Sequence, residues 1–148
     1  MQETGYETFS FYYDALTENV NYPARAAYLD GLVQKYKQSA GKVMLDLACG
    51  TGTMTEEMAE RGYDMIGVDY SEGMLGQAME KKIEKQLPIQ YVCQDMRELD
   101  LYSTVGTVIS VCDSVNYILE EEELLQVFRL VNNYLDPGGV FIFDLNTE

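Results

Sequence analysis

The chain has 148 residues, of which 25 are acidic and 10 basic, giving a net charge of −15, and it contains no histidine. This length suits one domain with its own core. The missing histidine excludes Ser-His-Asp and Cys-His catalysis, and the negative field predicts that nucleic acid is not a partner. No apolar run approaches the roughly 20 residues of a membrane span, so no membrane partner is expected. Without a basic segment and apolar stretch typical of a signal peptide at the N-terminus, a cytoplasmic location is predicted.

The first 40 residues predict an N-terminal helical cap segment. Residues 1–20 are rich in aromatic side chains without clean periodicity, which indicates a short helix and a loop. A second helix is predicted after Asn21, with Pro23 in its first turn and Gly41 after its end. Apolar residues recur along it at helical spacing, at Tyr22, Ala26, Leu29, Val33 and Tyr36.

Residues 41–148 alternate between predicted strands and helices and form the predicted core. Strands are predicted at residues 43–47, 65–68, 89–93, 105–111 and 140–145. Helices are predicted at 53–61, from a Ser71 cap to about residue 85, and from the acidic run 120–123 onward. The last helix has a predicted apolar face of Leu124, Phe128, Val131 and Leu135, and a turn at 136–139 follows it. This order predicts an α/β fold, a doubly wound, mainly parallel sheet covered by helices on both faces.

The most informative motif follows the first strand: Asp46-Leu47-Ala48-Cys49-Gly50-Thr51-Gly52. Glycine tolerates positive φ and leaves room for a ligand against the main chain, and the next helix directs its unpaired N–H groups to the same place. Asp46 would repel a pyrophosphate. The loop therefore favours a nucleotide-like ligand that carries positive charge, such as an ammonium or a sulfonium.

Three more polar motifs follow strands at the same edge of the predicted sheet, where doubly wound folds bind ligands. Asp69, about 20 residues beyond the glycine loop, can accept both hydroxyls of a ribose, and Tyr70 follows it. Gln94-Asp95-Met96 ends the third strand and Cys112-Asp113-Ser114 ends the fourth. Four such motifs in order predict a nucleoside site that spans the strand ends.

The motifs over residues 43–145 resemble those of the class I S-adenosylmethionine-dependent methyltransferases of the small-molecule type. The resemblance implies a Rossmann-like sheet of strand order 3-2-1-4-5, S-adenosylmethionine as methyl donor, S-adenosylhomocysteine as product and a small-molecule acceptor. It also implies cofactor-binding roles along the chain, assigned to Asp46, Ala48, Cys49, Gly50, Thr51, Gly52, Asp69, Tyr70, Met74, Asp95, Met96 and Cys112.

The resemblance extends in part to the first 40 residues. In similar enzymes N-terminal tyrosines close over the methionine end of the donor, which makes Tyr13 and Tyr22 candidates for contacting its carboxylate. The alternative is that both are core aromatics of the capping helix. Met74 and Met96 likewise either touch the nucleoside or only fill the core.

Methyl transfer is an in-line displacement, so the protein must orient the acceptor and need not supply a nucleophile. Asp113 is the candidate base where the acceptor must lose a proton. No metal site is predicted. The segment after the fourth strand lacks the Asn/Asp-Pro-Pro-aromatic pattern of nucleobase N-methyltransferases, which argues against a nucleobase acceptor.

The sequence departs from the resembled family after the fifth strand. That family has seven strands, and its last two form a hairpin beside the fifth. Here three residues follow Leu145. We expect an open apolar strand edge, prone to self-association. A truncated chain, a natural short form and one half of a complex all explain the length, and the unblunted edge favours truncation.

Two other functions share part of the pattern. An NAD-dependent oxidoreductase also uses a doubly wound sheet, but its third glycine would fall at Thr55 and Asp46 would oppose the pyrophosphate. A non-enzymatic S-adenosylmethionine-binding subunit that serves a partner would share every cofactor motif. The three cysteines, Cys49, Cys93 and Cys112, form neither a zinc pattern nor a disulfide framework and fit a reducing compartment.

Overall fold

The computed structural model describes residues 21–111 and 120–143. Five strands form one sheet in the order β3-β2-β1-β4-β5, and every neighbouring pair is parallel. The strands are β1 (Val43–Leu47), β2 (Asp64–Asp69), β3 (Gln90–Cys93), β4 (Val105–Ser110) and β5 (Leu135–Phe143). The predicted fold class and strand order are therefore confirmed.

The described residues also contain four α-helices and one 3-10 turn, of which the first helix precedes the first strand. They are α1 (Tyr22–Tyr36), α2 (Thr53–Glu60), α3 (Glu72–Lys85), the 3-10 turn (Met96–Glu98) and α4 (Glu121–Tyr134). Asn21 and Ser71 cap α1 and α3 as predicted, by accepting from the N–H groups of Ala24 and Met74. Among the described helices, none is both long and apolar enough to cross a lipid bilayer.

Alternating residues of the sheet feed two hydrophobic clusters. Met44 and Ile109 lie in one cluster, together with residues of α1 and α2. Leu45 and Val108 lie in the other, which α4 completes. The predicted cover of both faces is confirmed, and the carboxyl ends of the strands are left at one edge.

Two helix faces differ in detail from their predicted patterns. Tyr36, predicted on the apolar face of α1, is 58% exposed at the last turn. In α4 the buried residues are Val127 and Val131, whereas Phe128 is half-buried and packs on Phe141 and Phe143 of β5. The spacing predicted the helix correctly, but it placed Phe128 at the centre of the apolar face, where the structure has Val127.

The predicted turn at 136–139 lies inside β5, which begins at Leu135. Leu135 pairs with Val105 and Val140 with Thr107, so four residues of β5 loop out opposite one residue of β4. Asp136 anchors this loop by accepting from the hydroxyls of Ser39 and Thr104. Leu135 was predicted to be helical, but it pairs with Val105 of β4 and is therefore a strand residue. The predicted end of this strand at Leu145 falls outside the described residues.

Candidate functional site

The glycine loop, residues 48–52, connects β1 to α2 at the carboxyl edge of the sheet. Gly50 and Gly52 have φ of 60° and 84°, as the motif predicted. Ala48 also has a positive φ, of 63°, a conformation that favours glycine and was not predicted. The N–H of Cys49 donates to the Val68 carbonyl at 2.9 Å, which ties the loop to β2.

Asp46 is buried under this loop. It accepts a hydrogen bond of 2.7 Å from the hydroxyl of Thr55 in α2. Burial raises its pKa to about 7, opposed by the Thr55 hydrogen bond and reinforced by the charge of Asp69. The carboxyl group therefore gains or loses its proton near neutral pH. A cation bound above the loop would favour the ionised form.

Asp69, the last residue of β2, connects the glycine loop to the start of α3. Its two oxygens accept from the N–H groups of Gly50 at 2.8 Å and Ser71 at 2.9 Å. Burial raises its pKa, and these backbone hydrogen bonds work in the opposite direction. Each oxygen keeps a lone pair, so the carboxylate can still accept from the hydroxyls of a ligand.

A cavity of about 200 Å³ opens beside Asp69 at the ends of β1, β2 and β3. Five residues predicted as cofactor-binding line it: Ala48, Asp69, Tyr70, Asp95 and Met96. The remaining lining comes from Val68, Gln94 and Arg97. The structure thus brings together the predicted nucleoside side chains, with Tyr70 47% exposed at the rim.

Arg97 is a lining residue that the sequence analysis missed. Its guanidinium donates to both oxygens of Asp95 and, on its other side, to Glu123 in the first turn of α4. The Arg97 hydrogen bonds lower the pKa of Asp95. Asp95 therefore stays an acceptor, suited to a donor such as an exocyclic amine. Its i, i+2 spacing to Arg97, with Asp95 capping the 3-10 turn, was the available signal.

A second, smaller space lies on the other side of the glycine loop, over Asp46. Its lining includes five predicted residues, Tyr22, Asp46, Ala48, Cys49 and Thr51, together with Thr53, Met54 and Val111. Tyr22 comes from the first turn of α1, so this helix faces the loop. Burial raises the pKa of the Cys49 thiol well above its usual range, which makes it a packing residue and not a thiolate nucleophile.

Other predicted residues are not placed in these spaces. Met74 is buried at the start of α3 and lines neither of them. Tyr13, Cys112 and Asp113 lie outside the described residues.

Comparison with known proteins identifies the family. A family model described as a methyltransferase domain matches residues 44–139, which is more than half of the chain and includes the glycine loop, Asp69 and Asp95. This chain belongs to the methyltransferase domain family. The resemblance inferred from the motifs is confirmed, and the NAD-dependent alternative is set aside.

Individual relatives agree with this family. The chain is 35% identical over 142 residues to a methyltransferase-family protein of Geobacillus sp. (strain WCH70), covering 96% of this chain and 58% of that protein. It is 34% identical over 125 residues to the dTDP-3-amino-3,4,6-trideoxy-alpha-D-glucopyranose N,N-dimethyltransferase of Streptomyces venezuelae, covering 84% and 50%.

A solved structure shares the methyltransferase fold over nearly the whole chain. It is an S-adenosylmethionine-dependent methyltransferase from Clostridium acetobutylicum ATCC 824, with a TM-score of 0.83 and 32% identity. The match covers 95% of this chain and 57% of that one. The chain therefore spans little more than half the length of these relatives.

Proposed function

We propose that this chain is the S-adenosylmethionine-binding part of a methyltransferase that acts on a small molecule. The observation that carries the proposal is the convergence of three carboxylates, Asp46, Asp69 and Asp95, around one glycine loop at the strand ends. We assign them in this order to the three polar parts of the donor: ammonium, ribose and adenine. The division into a helical cap, residues 1–40, and a donor-binding core, 41–148, stays part of this proposal.

The roles follow the chemistry of each side chain. Asp69 accepts from the ribose hydroxyls, Tyr70 covers the adenine face, and Asp95 accepts from the adenine amine beside the Met96 N–H. Asp46 and Thr51 lie at the methionine end, which Tyr22 faces from α1. Cys112, Tyr13 and the base Asp113 keep the roles that the resemblance implies.

The donor supplies a methyl group already activated by its sulfonium. The protein contributes orientation, which is worth up to roughly 7–11 kcal/mol of barrier in good models. The acceptor atom must reach the methyl carbon from the side opposite sulfur, so that the new bond forms as the carbon–sulfur bond breaks and its electron pair returns to sulfur.

A cleft next to the methionine end offers a path for the acceptor. It measures about 410 Å³ and shares Met54 and Val111 with the space over Asp46. Its lining is mostly apolar, with Leu29, Leu32 and Ile142, a composition typical of small-molecule sites. The sugar substrate named for the Streptomyces venezuelae relative and the net charge of −15 both favour a small acceptor over nucleic acid.

Calorimetric titration with S-adenosylhomocysteine tests the proposal, with NAD as the comparison ligand. We expect a Kd around micromolar, about −8 kcal/mol, and no binding of NAD. Asp69→Asn should weaken binding at least tenfold, whereas Asp64→Asn, at the exposed start of the same strand, should not. Binding of NAD, or binding insensitive to Asp69→Asn in a folded variant, would contradict the proposal.

A further inference from the structure

The side chain of Tyr91 lies beneath the glycine loop, on the side away from the cavity. Tyr91 in β3 pairs with Gly67 in β2, and a Cβ added to Gly67 would come within 2.6 Å of two ring carbons of Tyr91. A Cβ added to Gly52 would collide with the Tyr91 hydroxyl. The ring thus crosses the sheet over Gly67 and its tip meets the last residue of the loop.

The Tyr91 hydroxyl is buried, and no group of the described residues meets it at ordinary hydrogen-bond geometry. Burial raises the pKa of Tyr91 well above its usual range, so the group stays a neutral hydroxyl. Among the described residues, the Thr55 side chain is the one neighbour that opposes this rise of its pKa. A buried polar atom without a partner costs stability, and its retention calls for an explanation. The tip of the Tyr91 ring meets Gly52 in a close packing contact.

The contact with Tyr91 explains why residues 67 and 52 are glycines. Glycine weakens a strand interior and often marks a close approach, and Gly67 lies in the middle of β2 where the Tyr91 ring crosses it. Gly52, at φ 84°, is the N-cap of α2, so its position sets the first turn of that helix. The N–H of Glu56 in that turn donates to the Gly52 carbonyl at 2.9 Å.

We propose that Tyr91 is a positioning residue for the donor site: its ring, seated on Gly67, holds Gly52 and the start of α2 where the bound ligand needs them. The inference rests on the proposed function, because the ligand is the one assigned there. A loop held in place before binding loses less freedom on binding, which increases affinity.

A double-mutant cycle with Gly67→Ala and Tyr91→Leu tests this role. Gly67→Ala pushes the ring away, and Tyr91→Leu removes it, so the two changes act through one contact and should not add. Each alone should speed hydrogen exchange at the Gly52 and Glu56 amides about tenfold relative to Val131 in α4. Each should also weaken S-adenosylhomocysteine about tenfold, and the double variant should be no worse than Tyr91→Leu.

Two further variants separate positioning from general stability. Tyr63→Leu makes the same change in another half-buried tyrosine on the same cluster, and it should leave loop exchange and affinity unchanged. Tyr91→Phe keeps the ring and removes the unpartnered oxygen, so it should be at least as stable as the parent, with loop exchange faster by less than in Tyr91→Leu.

Additive effects of Gly67→Ala and Tyr91→Leu, or unchanged exchange at Gly52 in Tyr91→Leu, would overturn the inference. The exchange cycle needs no ligand. If the parent chain does not bind S-adenosylhomocysteine, the proposed function fails, and the exchange data alone still decide whether Tyr91 positions the loop.

Discussion

Burying the Asp46 carboxyl group under the glycine loop lowers the stability of the folded chain. Because the pKa of this group is about 7, the loss of stability depends on pH. Between pH 4 and 7 the folded chain keeps a proton that the unfolded chain has lost. Raising the pH through this window therefore lowers the free energy of unfolding, and above pH 7 the effect levels off. Asp46→Asn should remove this slope and be more stable than the parent at pH 8 by a few kcal/mol, at about 1.4 kcal/mol per pKa unit.

Urea unfolding from pH 4 to pH 9 measures this effect. Asp64→Asn serves as the control, because it makes the same change at the exposed first residue of β2, at the opposite end of that strand from the loop. It should keep the slope of the parent. A parent whose stability rises between pH 5 and pH 7 would show that Asp46 is not the dominant group in this window.

Ala48 is a second residue whose conformation costs stability, because its backbone is in the left-handed region that alanine disfavours. A left-handed φ of 63° costs an alanine free energy that glycine does not lose. Ala48→Gly should therefore stabilise the chain by about 0.5–1 kcal/mol after the greater freedom of glycine in the unfolded state is included. The control is Ala27→Gly at an exposed position in the interior of α1, which should destabilise by about 1 kcal/mol. Thermal unfolding of both variants decides the point, and equal losses would contradict it.

Among single residues, the sequence predicted the site residues that directly follow a strand. Asp69 and Asp95 were found because parallel strands end at one edge. Arg97 and Tyr91 were missed because their roles depend on a partner, Asp95 in one case and Gly67 in the other. Ala48 was missed as a strained residue because alanine carries no signal for positive φ.

Among the elements, α2 and α3 are joined by an ion pair that the sequence did not indicate. The ammonium of Lys85 lies 2.7 Å from a carboxylate oxygen of Glu56, whose side chain is only 6% exposed. The second oxygen of Glu56 has no hydrogen-bond partner within the described part of the chain. Lys85→Met would leave the Glu56 carboxylate buried and unpaired, at a cost of about 1–3 kcal/mol in unfolding free energy.

The matched control for this pair is Lys82→Met, one turn earlier in α3. Both changes remove one positive charge from a chain of net charge −15, so any general charge effect is shared. Only Lys85→Met should destabilise, and adding Glu56→Leu should recover much of the loss. Chemical unfolding that finds the two lysine variants equal would show that the pair contributes little.

Elements differ in how far sequence alone could define them. The strands β1 and β4 were predictable because their apolar runs are bounded by charged or glycine-rich segments. The bulge in β5 was not, because Asp136, Pro137 and Gly138 indicate a turn in any context. Its place inside a strand depends on hydroxyls from Ser39 and Thr104, far away in sequence.

For the whole molecule, the order of strands followed from the motifs and the resemblance, while the packing of α1 required the structure. Ala26, Leu29 and Val33 join the same cluster as Met44 of β1. The helix is thus part of the core that supports the loop, and its first turn brings Tyr22 to the site.

Two features of the whole molecule have opposite effects on self-association: the open edge of the sheet promotes it and the net charge opposes it. β5 is the outer strand of the described sheet on one side, and its apolar run invites pairing, whereas a charge of −15 opposes it. Salt screens repulsion over about 10 Å at 0.1 M and about 3 Å at 1 M. We therefore predict that sedimentation finds more dimer as salt rises.

The other edge strand, β3 (Gln90–Cys93), provides the internal comparison, because it has only four residues and both end residues are exposed. If association occurs by strand pairing at β5, hydrogen exchange of β5 amides should slow at high salt while that of β3 amides does not. Slowing at both edges would indicate non-specific association, and a dimer fraction independent of salt would show that charge does not control it. The distinction matters for the donor site, since Ile142 and Phe143 of β5 also line the cleft through which we propose the acceptor enters.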